Sequence, residues 1–226
     1  MSRLLAIDTA TEACSAALWL DGEIRERYVV APREHARLLL PMVEELLAEA
    51  GLKLGDFDAL AFGRGPGSFT GVRIAAGMAQ GLAFSAGLPV VPVSTLAALA
   101  QGVADTQHPR LLAAIDARMG EVYWARYLLG ADGLVSLDGD ERVCAPEDVP
   151  VPTDGGWFGV GSGWKTYEER LATCLGNVFS GSDGARFPRA RDVARLAVPV
   201  YDRGAALPAE RAIPVYLRDR VANKPG

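Results

Sequence analysis

Few residues of this chain are typed and spaced for chemistry. Asp8-Thr9-Ala10-Thr11 follows one apolar run, Asp116-Ala117-Arg118-Met119-Gly120 follows another, and Gly63-Arg64-Gly65-Pro66-Gly67 lies between them. Carboxylates beside hydroxyls can hold a hard cation and the phosphates it carries, and glycines ahead of a helix aim backbone N–H groups at an anion. The specific phosphate motifs fail on spacing. A Walker loop needs Gly-Lys-Ser/Thr where this chain has Gly67-Ser68-Phe69. A dinucleotide fingerprint needs a glycine where Ser68 stands and an acid after the next strand, and Leu88 to Val93 carries none. His35 and His108 are far apart and there is no HxxxH or CxxC, so no metal site is expected. Gly161-Ser162-Gly163 lacks the offset glycine of a nucleophile elbow, and Cys14, in mid-strand, is expected to be a buried, inert thiol.

The elements that must position these residues are legible from periodicity. Arg3–Ile7, Ala13–Leu20 and Glu23–Val30 read as three strands, the last two joined by the hairpin signal Asp21-Gly22. Glu34 to Ala50 has the helical apolar period and a Gly51 stop, with Pro41 predicting a kink or a late start. A strand over Ala59–Phe62 leads into the glycine loop, and a helix follows, capped by Ser68 or Thr70. Strand Pro89–Val93 and a Ser94-capped helix over Thr95–Gly102 complete the order βββαβαβα. In the helix after the loop, Gly77, Gly81 and Ser85 recur every four residues, as do Gly71, Ala75, Ala79 and Ala83. Interior glycine costs about 0.5–1 kcal/mol relative to alanine. Close approach of this chain's own sheet, or of a partner subunit, would offset it.

The chain has 226 residues, half of them apolar, enough for one large or two small domains with a sizeable core. Three widely spaced cysteines argue for a reducing compartment over a disulfide framework. The apolar run Leu4–Ile7 is too short for a signal peptide, and no stretch reaches membrane-span length, so a cytoplasmic location without membrane contact is expected. A net charge of −5 makes the chain alone a poor ligand for a phosphate backbone. The basic stretch Arg211–Lys224 reads equally as a solvated tail or as an RNA contact.

After a polar boundary at Ala104–Arg110 the sequence restarts. Leu4–Asp8 (LLAID) is echoed by Leu111–Asp116 (LLAAID), and each copy reaches a Gly-containing turn, Asp21-Gly22 or Asp132-Gly133. An internal duplication follows. The second copy is looser, with strands near Glu121–Leu129 and Glu141–Cys144, a glycine turn at Gly159–Gly163, and helices over Lys165–Leu175 and Arg189–Asp202. The α/β fold class expected is a duplicated actin-like ATPase (ASKHA) fold of two βββαβαβα-type halves, the second degenerate. The halves are expected at 1–104 and 105–226, with the last helix packing back on the first. Such a fold would place a nucleotide between the halves, making Asp8, Thr9, Thr11 and Asp116 the candidates to bind it. The first turn lacks a glycine to admit phosphate, and Glu12 sets a like charge beside Asp8.

The segments LLAIDTATEACSAAL, HARLLLPMVEELL, FGRGPGSFTGVRIAAGMAQGLA, VVPVSTLAAL and AAIDARMGEVYWARY, with the tail PVYLRDRVA, closely resemble the bacterial TsaB (YeaZ) family. The resemblance covers most of residues 4–127 and Pro214–Ala222, and GRGPGSFTGVR is its most specific part. It implies a noncatalytic, cofactor-free subunit of the machinery that makes threonylcarbamoyladenosine in tRNA. The paralogous TsaD-like catalytic subunit would be its partner, a TsaE-like ATPase would join them, and tRNA would be met only through the complex. At the TsaD-like metal pair this chain has Thr95 and Leu99, neither an imidazole. Pairing through the first two long helices implies a contact face of His35, Leu38, Met42, Leu46, Gly71, Arg73, Ile74, Gly77, Met78 and Gly81. Left uncovered, that face implies a homodimer when the chain is alone. A self-sufficient ATP-dependent enzyme, with Asp8 and Asp116 holding Mg-ATP, is the competing reading. A metalloprotease, a third, lacks the ligands.

Overall fold

The computed structural model describes residues 2–105 and 107–218. In the first half, strands β1 (Arg3–Asp8), β2 (Ala13–Leu20) and β3 (Glu23–Val30) form an antiparallel meander. Helix α1 (His35–Ala50), β4 (Ala59–Gly63), α2 (Phe69–Ala86), β5 (Val90–Val93) and α3 (Thr95–Gln101) follow. The second half holds β6 (Arg110–Arg118), β7 (Glu121–Leu129), β8 (Val135–Cys144), β9 (Trp157–Val160), α4 (Ser162–Leu175), β10 (Phe179–Asp183) and α5 (Ala190–Asp202). The sheet orders are β3-β2-β1-β4-β5 and β10-β9-β6-β7-β8. Reading β6 for β1, β7 for β2 and so on, these are one topology written twice, and the fold is the duplicated actin-like one.

The degeneracy of the second half is specific. Between β8 and β9 the place of α1 is taken by a single 3-10 turn, Pro146–Asp148. The glycine turn expected at 159–163 is in fact the end of β9: Gly159 is a strand residue whose missing side chain makes room for the indole of Trp164. Strand β10 was not expected at all, since Phe179-Ser-Gly-Ser-Asp183 has the composition of a loop. Pro41 lies inside α1, which runs unbroken from His35 to Ala50. Pro41 and Arg37, whose carbonyl loses its helical donor, are both exposed, so the lost bond is not sealed in the core.

Strand alternation sends Leu5, Ile7, Leu60 and Phe62 to one face of the first sheet, under α1 and α2, and Leu4, Ala6, Ala59 and Ala61 to the other. That second face is covered by Val193, Ala194 and Ala197 of α5, a helix of the second half. Reciprocally, Leu96, Leu99 and Ala100 of α3, from the first half, pack on Leu111, Ala113 and Ile115 of the second sheet. The halves are thus joined by an exchange of helices. Arg189, at the entry to α5, secures it by donating to the nearly buried Glu26 carboxylate of β3 at 2.5 and 3.1 Å.

Candidate functional site

Helix α2 starts where Ser68 accepts the Gly71 N–H at 3.0 Å, so Ser68 and not Thr70 is its cap. Its two small-residue stripes have opposite fates. Gly71, Ala75, Ala79 and Ala83 are buried against the sheet, and a Cβ at Gly71 would collide with the carbonyl oxygen of Thr9. Arg73, Gly77, Gln80, Gly81 and Phe84 face outward. A Cβ at Gly77 or Gly81 would meet nothing within 4 Å, and Phe84 is 73% exposed. Leu38 and Met42 of α1 and Ile74 and Met78 of α2 are half-buried along the edges of this face. Three residues that the family resemblance implied for it lie elsewhere. Leu46 is fully buried in the core under α1, Gly71 is pressed on the β1–β2 turn, and His35 is buried with Nε2 unpartnered. Helical period marks an apolar stripe but does not say which neighbour covers it.

The second candidate is the cleft between the halves, a cavity of about 380 Å³ lined by residues of both, among them Thr11, Asp116, Met119, Ser162, Tyr216 and Arg218. Of the nucleotide candidates, Thr11 and Asp116 reach it. Asp8 and Thr9 do not. Asp8 is wholly buried, its Oδ1 accepting Ala10 N–H at 3.0 Å and its Oδ2 unpartnered against Gly63. Burial pushes its carboxyl up to about 7. Thr9 Oγ1 donates to the Gly71 carbonyl at 2.7 Å. Gly161 and Gly163, on either side of Ser162 at the start of α4, are pressed on Ala114 of β6. Here glycine serves close packing. Cys14 is buried as expected, its thiol pushed up to about 11.

The charges of the cleft are paired with one another. Asp116 accepts the Arg118 N–H at 2.8 Å and its Nη1 at 3.0 Å, while Arg118 Nη2 reaches Glu12 of the opposite half at 3.4 Å. Glu12 is therefore opposed by a cation, not left beside a like charge. The C-terminal segment borders the cleft and is pinned: Val215 N–H donates to Arg64 O at 2.7 Å, Arg73 Nε donates to Tyr216 Oη at 2.8 Å, and Arg218 pairs with Glu121. Tyr216 and Arg218 were missed from the sequence because their partners are remote in the chain. The rest of the basic stretch, and the last four residues of PVYLRDRVA, lie outside the described residues.

At the positions of a possible metal pair, Thr95 Oγ1 accepts the Gly65 N–H at 3.2 Å, and Leu99 is a core residue packed against Gly161. Thr95 thus ties the glycine loop to α3, and Leu99 belongs to the core between α3 and the second sheet. Among the described residues no three His, Cys, Asp or Glu side chains gather where they could hold a metal ion, and no helix is long and apolar enough to cross a membrane.

Fold and site together define a class: a duplicated actin-like protein whose interdomain cleft is lined by mutually paired charges and whose second helix, among the described residues, is open to solvent over Gly77 and Gly81. A sequence model of TsaD, described as tRNA N6-adenosine threonylcarbamoyltransferase, matches residues 29–155. The tRNA threonylcarbamoyladenosine biosynthesis protein TsaB of Escherichia coli K12 is 47% identical over 98% of this chain and 97% of its own length. The Haemophilus influenzae protein of that name is 44% identical over 98% and 95%. The solved structure of YeaZ from Pseudomonas aeruginosa superposes with a TM-score of 0.89 at 52% identity, covering 96% of this chain and 100% of that one. The chain belongs to the TsaB family.

Proposed function

We propose that the chain is a noncatalytic subunit for N6-threonylcarbamoyladenosine modification of tRNA, acting in the cytoplasm. It works by presenting the α1–α2 face to a TsaD-like catalytic subunit, with a TsaE-like ATPase joining them and tRNA reached only through the complex. The names of the relatives support the pathway. The open space over Gly77 and Gly81 carries the mode of action. Each interior glycine sacrifices about 0.5–1 kcal/mol against alanine, and nothing among the described residues requires it at either position. A partner helix approaching to backbone distance would require it, and Phe84, Ile74 and Met78 supply apolar contact around the gap.

Gly77→Leu tests this. Leucine favours the helix and points into solvent, so the variant folds at least as well as the parent. It is expected to lose copurification with a TsaD-like subunit, and normal complex formation would refute the assignment. The same face accounts for a homodimer of the isolated chain, so sedimentation of Gly77→Leu alone is expected to show a monomer. Calorimetry with Mg-ATP separates the enzyme reading: micromolar binding or turnover by the isolated chain would favour it.

A further inference from the structure

The β6–β7 turn is made by Arg118, Met119 and Gly120 at φ 62, 57 and 81°. Two consecutive non-glycine residues in the left-handed region are uncommon, and the conformation needs compensation. It sets the Arg118 guanidinium between Asp116 of its own turn, at 3.0 Å, and Glu12 of the opposite turn, at 3.4 Å. A planar fork with several donors suits two carboxylates at once. A cation thus lies between the two hairpin turns as part of the chain.

A second bridge joins the halves through Glu141 of β8, whose side chain is 9% exposed. It accepts from Tyr127 Oη at 2.9 Å within its own half. From the first half it accepts Arg64 Nη2 of the glycine loop at 3.3 Å and the hydroxyl of Ser94. Ser94 also caps α3, accepting Ala97 N–H at 3.3 Å, and Arg64 O is held by Val215 N–H. The glycine loop is thereby tied on both sides, and a hinge motion opening the cleft would break the Arg118–Glu12, Arg64–Glu141 and Ser94–Glu141 contacts together.

We propose that side chains, not a ligand, set the angle between the two halves: Arg118 bridges the hairpin turns and Glu141 clamps the glycine loop, making the shape of the chain indifferent to nucleotide. Glu141 is the stronger element, because a nearly buried carboxylate stripped of its partners is costly while the exposed Arg118 pairs are weak. The inference does not depend on the identity of any partner.

Spin labels at Glu44→Cys on α1 and Glu169→Cys on α4, both exposed, in a Cys144→Ser/Cys174→Ser background, report the angle by pulsed dipolar spectroscopy. The labelled full chain, diluted into an excess of unlabelled chain so that distances between copies do not contribute, is expected to give one narrow distance distribution, unmoved by millimolar Mg-ATP. Adding Arg118→Ala and Glu141→Ala is expected to at least double its width. A distribution that shifts or narrows with Mg-ATP in the parent, or a double variant as narrow as the parent, would overturn the lock. Should circular dichroism show that the double variant is unfolded, Arg118→Ala with Glu141→Gln is measured in its place, with the same two readings. These outcomes concern the isolated chain and leave the copurification test of Gly77→Leu independent.

Discussion

Asp8 near the end of β1 and Asp116 near the end of β6 follow nearly identical apolar runs and occupy the same place in two copies of one sheet. Each accepts the N–H two residues on, at 3.0 and 2.8 Å, but the rest of their surroundings differs. Asp8 is sealed under Gly63, with one oxygen unpartnered. Asp116 borders the cleft and accepts from a backbone N–H, a guanidinium and, at 3.4 Å, the Tyr167 hydroxyl. The cause lies in what each helix start does next. Ser68 N–H donates to Ala10 O at 2.7 Å, and Gly67 and Gly71 bring the start of α2 against the β1–β2 turn, so that Asp8 and Thr9 do not reach the cleft. In the second half Gly163 presses on Ala114, before the turn, and Ser162 Oγ accepts the Asp116 N–H at 3.2 Å, leaving the carboxylate free to face the cleft. The repeated element has become packing in one half and a charge anchor in the other.

The largest expected effect tests the packing side of this contrast. Gly71→Ala forces a methyl onto backbone atoms of Thr9 that cannot swing away, and it should cost about 3 kcal/mol in denaturant unfolding. Gly77→Ala, on the same helix but over open space, should gain up to about 1 kcal/mol. Equal effects at the two positions would erase the distinction between the buried and the bare stripe.

Next in size is the pH dependence that Asp8 contributes, beside the smaller one of Asp192, whose carboxyl burial pushes up to about 6. The Asp8 carboxyl titrates at about 7 in the folded chain and at the ordinary 3.8 when unfolded. Between those values the unfolded state has released the proton and the folded state retains it, so this group's contribution to stability falls as pH rises, and levels off above 7. Asp8→Asn removes the titration. From pH 4 to 7 the parent should lose stability relative to the variant by about 1 kcal/mol per pH unit, followed by chemical unfolding at each pH. A constant difference across that range would show that Asp8 ionises in the folded chain as readily as in water.

Much of the frame was legible because its signals are local. The meander β1–β3 shows in period-two runs and Asp21-Gly22, and α2 and α3 show in Ser68 and Ser94, each a serine whose oxygen accepts the N–H three residues on. Features decided by residues remote in the chain were not legible. Gly159 looks like a turn until Trp164 is known to fill its space, and Asp8 looks like a ligand until Gly63 is seen to roof it. Leu46 belongs to the same helical stripe as Leu38 and Met42, yet only the placement of β2 and α2 divides interior from rim. The tail reads equally as solvated or as an RNA contact because nothing nearby in sequence names Arg64, Arg73 or Glu121 as its anchors.

The smallest effect is expected at Asp116, and its smallness is informative. A carboxylate with several partners and some solvent loses little when one partner goes. Tyr167 sits at a break in α4, at φ −130° and ψ 25°, and its hydroxyl reaches Asp116 over a long 3.4 Å. Tyr167→Phe removes that single contact, keeps the ring, and should cost no more than about 0.5 kcal/mol in denaturant unfolding. Its pH profile between 4 and 7 should run parallel to the parent's, since Asp8 still titrates. A loss above about 1.5 kcal/mol, the cost of orphaning a buried acceptor, would mean that Asp116 relies on few partners in a dry site. The two aspartates would then be alike, and the cleft would be no more solvated than the space beneath Gly63.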